Sequence, residues 1–433
     1  MDLPRPTAHA AVTLSMVLLT FLPEIAAFLL FICMATQVPQ IGAVLILMEF
    51  ALVGLLFVFR TTAFIDVLKR WWWLLLMPLV AMLSGLWSDT PSLSFRYGAQ
   101  FLFTCFVGVL IACTMSPRRY IATLLVALFV FCLLCIAWGR QGTSADGMVL
   151  IGLTGSKNQM AYAAQVLLMA ASALLLMPSM NLVLRALAFL SIPLSVYLLA
   201  GTNSATAVLM AFGGSAVLIA LWWSQRLPPG ARLGALIAAA IVLAPLTLLI
   251  PEAIEFTNHF VFDTLGKDPT LTGRTILWQH ADALIEERPF LGYGYQAIWM
   301  GDSSETIGLK RLMDIEDGRQ FHFHHAFRIV AVDTGILGLA PFVIGIVMVG
   351  FSAVKQMLLR PSVETSFFFV LFTLMVTRGF TDSIIAPFSV HTLLFYGACV
   401  YAFWNVQQSA EQGASEQTPP QAWRRRRPAT PAY

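Results

Sequence analysis

Charge is what this sequence has least of. Charged residues make up 11% of its 433 residues and apolar ones 58%, with a mean hydropathy of +0.78. A soluble domain is about 25% charged, so a soluble globular class is excluded. Membrane spans, each needing about 20 apolar residues, are the better unit for reading the chain. Cysteine is scarce too. The six, at positions 33, 105, 113, 132, 135 and 399, all fall in apolar stretches, and none lies in the long hydrophilic stretch. No disulfide framework is therefore implied. Cys132-Leu-Leu-Cys135 has redox spacing but lies within a span, where it reads as small apolar packing. The metal-binding motif Asp-x-Asp is absent. A net charge of +3 on such a chain carries no signal for nucleic acid.

The sequence predicts an all-α integral membrane protein of about twelve spans: 10–34, 41–59, 71–87, 97–115, 121–138, 159–178, 186–201, 204–223, 233–251, 326–350, 365–381 and 388–406. Only Thr202-Asn203 separates the seventh from the eighth, and Arg378 interrupts the eleventh. Residues 1–251 then carry nine spans, 252–325 form one large outside loop, 326–406 carry three more spans, and 407–433 are a disordered basic tail. The first span is too long for a signal-peptide core and lacks a cleavage site of small residues, so it is read as a retained helix.

Basic residues give the orientation. With the N-terminus inside, the inner segments hold 15 of the 26 Lys and Arg residues. The short outside loops hold four: Arg96, Arg140, Lys157 and Arg378. Short loops set topology through that bias, so both termini are expected in the cytoplasm and the large loop outside. Arg424 to Arg427 lie in the Gln/Ala/Pro/Ser-rich tail and read as an anchor on anionic lipid.

The chemistry-bearing residues concentrate in that loop. It carries Leu271-Thr-Gly-Arg-Thr-Ile-Leu-Trp278, then Arg288-Pro-Phe-Leu-Gly-Tyr-Gly-Tyr295, then Phe321-His-Phe-His-His-Ala-Phe327, and it feeds Asp333-Thr-Gly-Ile-Leu-Gly338. Thr275–Glu287 reads as an amphipathic helix, with Leu277, Ala281, Leu284 and Ile285 on one face, Thr272 as N-cap and Pro289 as its stop. Arg274 at that N-terminus suits an anion, because the exposed amides, the dipole and a guanidinium fork act together. Its bland alternative is a solvated arginine. Arg96, Lys157, Arg319, Arg328 and Arg378 are further outward cations; Arg96 and Arg378 lie at span edges, where headgroup snorkelling is the bland alternative, and each of the five alone is a weak signal, but together they can line an anionic cavity. His322, His324 and His325 lack a carboxylate or cysteine at close spacing, so a general base is favoured over a metal. Glu24 and Glu49 lie inside spans, where a carboxylate is either functional, as in a proton relay, or packed against a polar partner.

Taken in order, these motifs resemble the bacterial O-antigen ligases and related polysaccharide polymerases, most of all the exopolysaccharide polymerase branch. Leu86-Trp-Ser-Asp-Thr-Pro91 is similar to the family's Leu-Trp-Ser-x-x-Pro loop, and Gly155-Ser-Lys-Asn158 to its Lys-Asn loop. Thr272-Gly-Arg-Thr-x-x-x-Trp278 and Pro289-Phe-Leu-Gly-Tyr-Gly294 match its large loop. His324-His-Ala-Phe327 stands where the family has His-Asn-x-aromatic, and Gly335-Ile-Leu-Gly338 supplies its Gly-x-x-Gly. Two departures are visible. His325 replaces the asparagine, and Ala205 stands where ligases commonly carry an arginine, which tilts the reading towards polymerase.

The resemblance implies a metal-independent inverting glycosyltransferase of the bacterial inner membrane, with no cofactor, working at the periplasmic face. Its donor would be a glycan on undecaprenyl pyrophosphate, and its acceptor a growing glycan or, for a ligase, lipid A core. Membrane lipids and polysaccharide export and chain-length proteins would be its other partners. His324 would be catalytic, and Arg274, Arg96, Arg378, Arg319 and Arg328 would hold pyrophosphate. Lys157, Asn158, Tyr293 and His325 would make other substrate contacts. Two readings from other classes remain, a twelve-span transporter or lipid flippase and a non-catalytic scaffold of an export complex. The crowding of polar residues into one outside loop favours the enzyme over the transporter.

Overall fold

The computed structural model describes residues 8–144, 147–234, 272–301, 303–312 and 321–404. They form a helical bundle. In chain order the helices are α1 (Ala8–Ala35), α2 (Gly42–Phe59), α3 (Thr61–Arg70), α4 (Leu76–Leu83), α5 (Pro91–Thr114), α6 (Pro117–Trp138), α7 (Lys157–Leu176), α8 (Leu182–Thr202), α9 (Ala205–Ser224), α10 (Thr272–Glu287), α11 (Ala297–Met300), α12 (Ser304–Leu312), α13 (Ala326–Leu359), α14 (Val363–Arg378) and α15 (Val390–Tyr401). Among the described residues, seven helices are long and apolar enough to cross a membrane, or eight if a bent pair is counted as one span. Polar backbone must be satisfied within the segment at membrane depth, which is why these apolar runs are helical. The described residues are thus mostly helical, and their apolar helices are those of a multi-pass membrane protein.

Several expected spans take a different form. The stretch 71–87 is not one helix: it enters through a 3-10 turn, Trp72–Leu75, and the preceding α3 meets it at 76°. α3 ends on Lys69 and Arg70 and buries only Ala63 and Val67, which fits a short helix lying along an interface. α14 ends at Arg378, and α15 has only 12 residues, so neither meets the length of a full crossing. The pair 186–223 is confirmed as two helices. Asn203 adopts a left-handed conformation, φ 48°, and turns the chain between them. The expected span over 233–251 and the tail lie outside the described residues.

Polar anchors sort the loops to two ends. At one end Arg118 donates to the Pro178 carbonyl beyond α7, and Arg119 pairs with Glu24. At that same end of α13, Arg232 donates to the carbonyls of Met357 and Leu358 at 3.2 and 2.6 Å. That guanidinium satisfies terminal acceptors and complements the helix dipole. The Glu24 pairing answers the question left by its sequence: it has a basic partner. Glu49 is buried in α2, 1% exposed. Cys132 and Cys135 are buried free thiols in α6, as packing requires. At the other end lie the described part of the hydrophilic stretch and a β-hairpin that the sequence did not suggest. Its strands β1 (Arg140–Ser144) and β2 (Gly147–Gly152) pair antiparallel, and Arg140 donates to the Thr154 carbonyl at 2.8 Å.

The two ends carry a topology prediction, motivated by the 15-to-4 bias in basic residues. A reporter inserted between 303 and 312 is expected to read periplasmic, and one fused after 410 cytoplasmic. Activity on the same side for both fusions would overturn this orientation.

Candidate active site

The site begins with α10. Leu277 and Ala281 are fully buried and Leu284 is 8% exposed, with Ile285 packed beside them, so the predicted apolar face is the real one. The helix starts at Thr272, which is therefore its first helical residue rather than the residue before it. That face meets Tyr293, Ile298, Trp299, Phe323, Ile329 and Val332 in a second core, apart from the main bundle core. Burial of each large side chain there contributes about 1.5–3 kcal/mol. Trp278 donates its indole N–H to the Phe323 carbonyl at 2.9 Å. Phe323 is thereby held in that core, with Phe321 partly buried beside it. The His322 and His324 rings lie together on another face, 4.2 Å apart, and Phe321 touches both.

That face meets the end of α14. Ala326 N–H donates to the Gly379 carbonyl at 2.7 Å, which ties the two segments together. His324 Nδ1 lies 3.3 Å from Asp382 Oδ1, and His322 Nε2 3.8 Å from the same oxygen. Arg378, one turn before Asp382, donates to its other carboxylate oxygen at 2.9 Å. The guanidinium also reaches the Asn158 carbonyl at 3.4 Å and lies 4.8 Å from the Tyr162 ring. Burial pushes the Asp382 carboxyl up, but the His324 hydrogen bond and the charges of Arg378, His322 and His324 outweigh it, holding it well below the usual carboxylate range. An ionised carboxylate only accepts, so His324 carries its proton on Nδ1 and keeps the Nε2 lone pair for a substrate. The side chains of His322 and His324 are 32% and 19% exposed, so the pair is open to water on one side. His324 also sits at φ 51°, an uncommon backbone conformation for a non-glycine residue.

His322, His324 and Asp382 bring possible metal ligands within 4.8 Å of one another. The fold has supplied the carboxylate that close sequence spacing lacked. The hydrogen bonding favours protons over a metal all the same. His322 Nδ1 accepts the His324 backbone N–H at 3.0 Å, so neutral His322 is protonated on Nε2, the atom nearest Asp382. A metal at Nε2 would move that proton to Nδ1, against another N–H, and would face Arg378 across the carboxylate.

The other expected residues are placed as follows. Arg378 and Asn158 join His324 at the cluster, Asn158 through its carbonyl, and Lys157 precedes Asn158 as the first residue of α7. Arg328 is committed elsewhere. It pairs with both oxygens of Asp282 at 2.7 and 3.0 Å and lies 5.2 Å from the Trp278 ring. His325 caps α13 by accepting the Arg328 N–H at 3.3 Å, and burial, then Arg328, lower its pKa. Arg96 is exposed beside Tyr97. Tyr293 is 5% exposed, with Arg288 stacked 4.3 Å from its ring. Arg274 lies in the first turn of α10, and its side chain falls outside the description, as does Arg319 altogether. Asp382 was given no role from the sequence; the available signal was a carboxylate four residues after an arginine at a span edge.

The paired glycines do something other than touch substrate. α13 is broken at Gly335, φ 58° and ψ −157°, a conformation open essentially to glycine alone. The break strands four backbone groups, and the Pro289–Gly294 turn takes all of them. Ile336 and Leu337 N–H groups donate to Pro289 and Phe290 carbonyls at 2.8 and 3.2 Å. Tyr293 and Gly294 N–H groups donate to Val332 and Asp333 carbonyls, both at 2.9 Å. A Cβ at Gly335 would strike the Phe290 backbone, and one at Gly294 the Ser88 side chain. The Leu86–Pro91 loop and the turn before it close the assembly: Trp87 donates to the Leu291 carbonyl, and the Tyr295 N–H to Ser84 Oγ, both at 2.8 Å. Three of the sequence motifs are thus one backbone staple, which fixes α13 and hence His324.

A multi-pass helical membrane protein with a histidine–carboxylate–arginine cluster at one end is the class these features define. Residues 186–343 match the family model described as O-antigen ligase. The chain is also 28% identical, over 331 residues, to "Exopolysaccharide production protein ExoQ" of Rhizobium meliloti (strain 1021), covering 75% of each protein. These likenesses bear out the resemblance seen in the motifs. The family match ends before Arg378 and Asp382, so their place in the site comes from the fold.

Proposed function

We propose that this chain is a glycosyltransferase of surface polysaccharide assembly, moving a glycan from undecaprenyl pyrophosphate to a sugar hydroxyl at the periplasmic face. The observation that carries the reading is the His324–Asp382–Arg378 cluster, at the end of the bundle where the hydrophilic stretch docks. His324 Nε2 takes the proton of the acceptor hydroxyl. The freed oxygen attacks the anomeric carbon, the bond to pyrophosphate breaks, and the electron pair leaves on the lipid pyrophosphate. A single displacement of this kind inverts the anomeric centre. Asp382 holds the reactive tautomer and balances the imidazolium, while Arg378 holds Asp382. Arg274 at the N-terminus of α10 is the favoured clamp for the leaving pyrophosphate, with exposed Arg96 and with Lys157 as further cations. Polymerase is favoured over ligase by the exopolysaccharide relative and by Ala205 where a ligase commonly carries an arginine.

The test is a reconstituted assay with purified chain and a synthetic polyprenyl-pyrophosphate oligosaccharide. Wild type should release free polyprenyl pyrophosphate and extend the glycan, and EDTA should leave the rate unchanged. No release, or loss with EDTA alone, would overturn the reading. Arg274→Lys is expected to reduce turnover by about tenfold or more, because a point charge does not reproduce a planar two-pronged fork. A near-normal rate in the lysine variant would show Arg274 to be a solvated cation.

A further inference from the structure

His322 has no part in the reaction as written above, yet the fold places it against both groups that matter. Its Nδ1 accepts the backbone N–H of His324 at 3.0 Å. Its Nε2 lies 3.8 Å from the Asp382 oxygen that His324 Nδ1 approaches at 3.3 Å. The two imidazole centroids are 4.2 Å apart. Two histidines therefore share one carboxylate oxygen, and Arg378 occupies the other oxygen at 2.9 Å.

We propose that His322 is a positioning residue that sets the proton affinity of His324 and so the pH range in which His324 acts as base. This rests on the reading of His324 as the base. The mechanism has two parts. The hydrogen bond to the His324 amide supports the left-handed backbone, φ 51°, that presents the catalytic ring. The Nε2–H of His322, and its full charge once protonated, draws on the negative charge of Asp382 that would otherwise favour a proton on His324. The first part only orients the ring; in the second, the neutral Nε2–H and the full charge act with the same sign and lower the proton affinity of His324. The pair behaves as coupled groups, because a second imidazolium would face both the first and Arg378.

The other groups acting on this cluster belong to the elements packed around it. Asp382 and Arg378 follow from α14. His391 of α15 couples to Arg378 and Asp382, and Tyr162 of α7 lies under Arg378. His325 and Arg328 begin α13, where Arg328 is already paired with Asp282. None of them holds the His324 amide. The Asp382 oxygen nearest His324 also accepts the Ser383 backbone N–H at 2.9 Å, a group that does not titrate, so His322 is the titratable side chain that shares that oxygen with His324.

The sign of the pH effect follows. Without His322, Asp382 acts on His324 alone, so His324 binds its proton more tightly. The base is then lost at higher pH, and the acid limb of the kcat/KM profile moves up. The experiment compares wild type, His322→Asn and His322→Gln, purified as the full chain in liposomes. The probe is the synthetic polyprenyl-pyrophosphate oligosaccharide, with rates taken from about pH 5 to about pH 9. Asparagine can accept the His324 N–H through its side-chain oxygen but is too short to reach Asp382. Its acid limb is expected about half a unit or more above wild type, with the rate at high pH retained. Glutamine, whose amide reaches Asp382 without titrating, is expected to move the limb in the same direction by less. A rate lowered equally at every pH, with the limb unmoved in both variants, would mean that His322 is merely structural and would overturn the inference. That outcome leaves the base assignment standing, which fails only if His324 variants remain active.

Discussion

Replacing His324 with alanine is expected to lower glycan transfer by about 10²–10⁴-fold, the usual worth of a positioned general base. The chain should still insert and bind donor. The side chain is 19% exposed, and its ring contacts Phe321 and His322 at its edges rather than filling the core. One part of the cost is not catalytic: alanine is less at ease than histidine at a positive φ, and His324 sits at 51°. His324→Asn separates the two, because asparagine tolerates the left-handed region but does not supply an imidazole base. Both variants should be inactive, with Asn the more stable. Full activity in either would sink the assignment. Asp382→Asn should also be severely impaired, since a neutral amide neither selects the Nδ1–H tautomer nor balances the imidazolium. It leaves Arg378 without its carboxylate, so its stability must be measured beside its rate.

The second large effect is expected at a residue that touches no substrate. Gly335→Val should abolish both activity and the docking of the Pro289–Gly294 turn. The strained backbone conformation alone costs about 1–3 kcal/mol for a side chain, and the new Cβ would strike the Phe290 backbone, which cannot rotate away. The four hydrogen bonds between the turn and α13 would then open, leaving polar backbone unpaired at the edge of the membrane. Limited proteolysis between 288 and 300 should become rapid, and thermal unfolding should begin earlier. Gly345→Ala in the same helix is the control. A Cβ there would meet only Trp73, at 4.0 Å, so that variant should behave as wild type. A protease-resistant, active Gly335→Val would show that the staple is dispensable.

These two residues show how differently the sequence exposed its parts. His324 was legible as a candidate because a histidine cluster stands where a hydrophilic stretch re-enters an apolar one, and the fold places it against Asp382. Gly335 was visible as a motif member, but the motif did not tell its role. Backbone-to-backbone closure leaves no trace in residue chemistry beyond the glycines themselves. Arg328 was read as an outward cation, and the fold commits it to Asp282 and Trp278. That partner lies 46 residues away, on another helix. Asp382 was given no role for the same reason, standing 58 residues from His324.

By itself, the sequence determined what depends on composition and local period. Apolar runs become helices because unpaired backbone is too costly in lipid, whatever those helices pack against. The amphipathic face of α10 followed from spacing along one helix. The division of α8 from α9 followed from two polar residues. Tertiary structure alone decided which charged groups meet. It turned Arg378 from an outward cation into the brace of Asp382, made His325 a cap and gave His324 its carboxylate. It also shortened α14 and α15 and bent the chain by 76° between α3 and α4. The physical reason is that a charge near a membrane is governed by whichever opposite charge the fold brings within a few ångströms, and that distance is not written in the order of the residues.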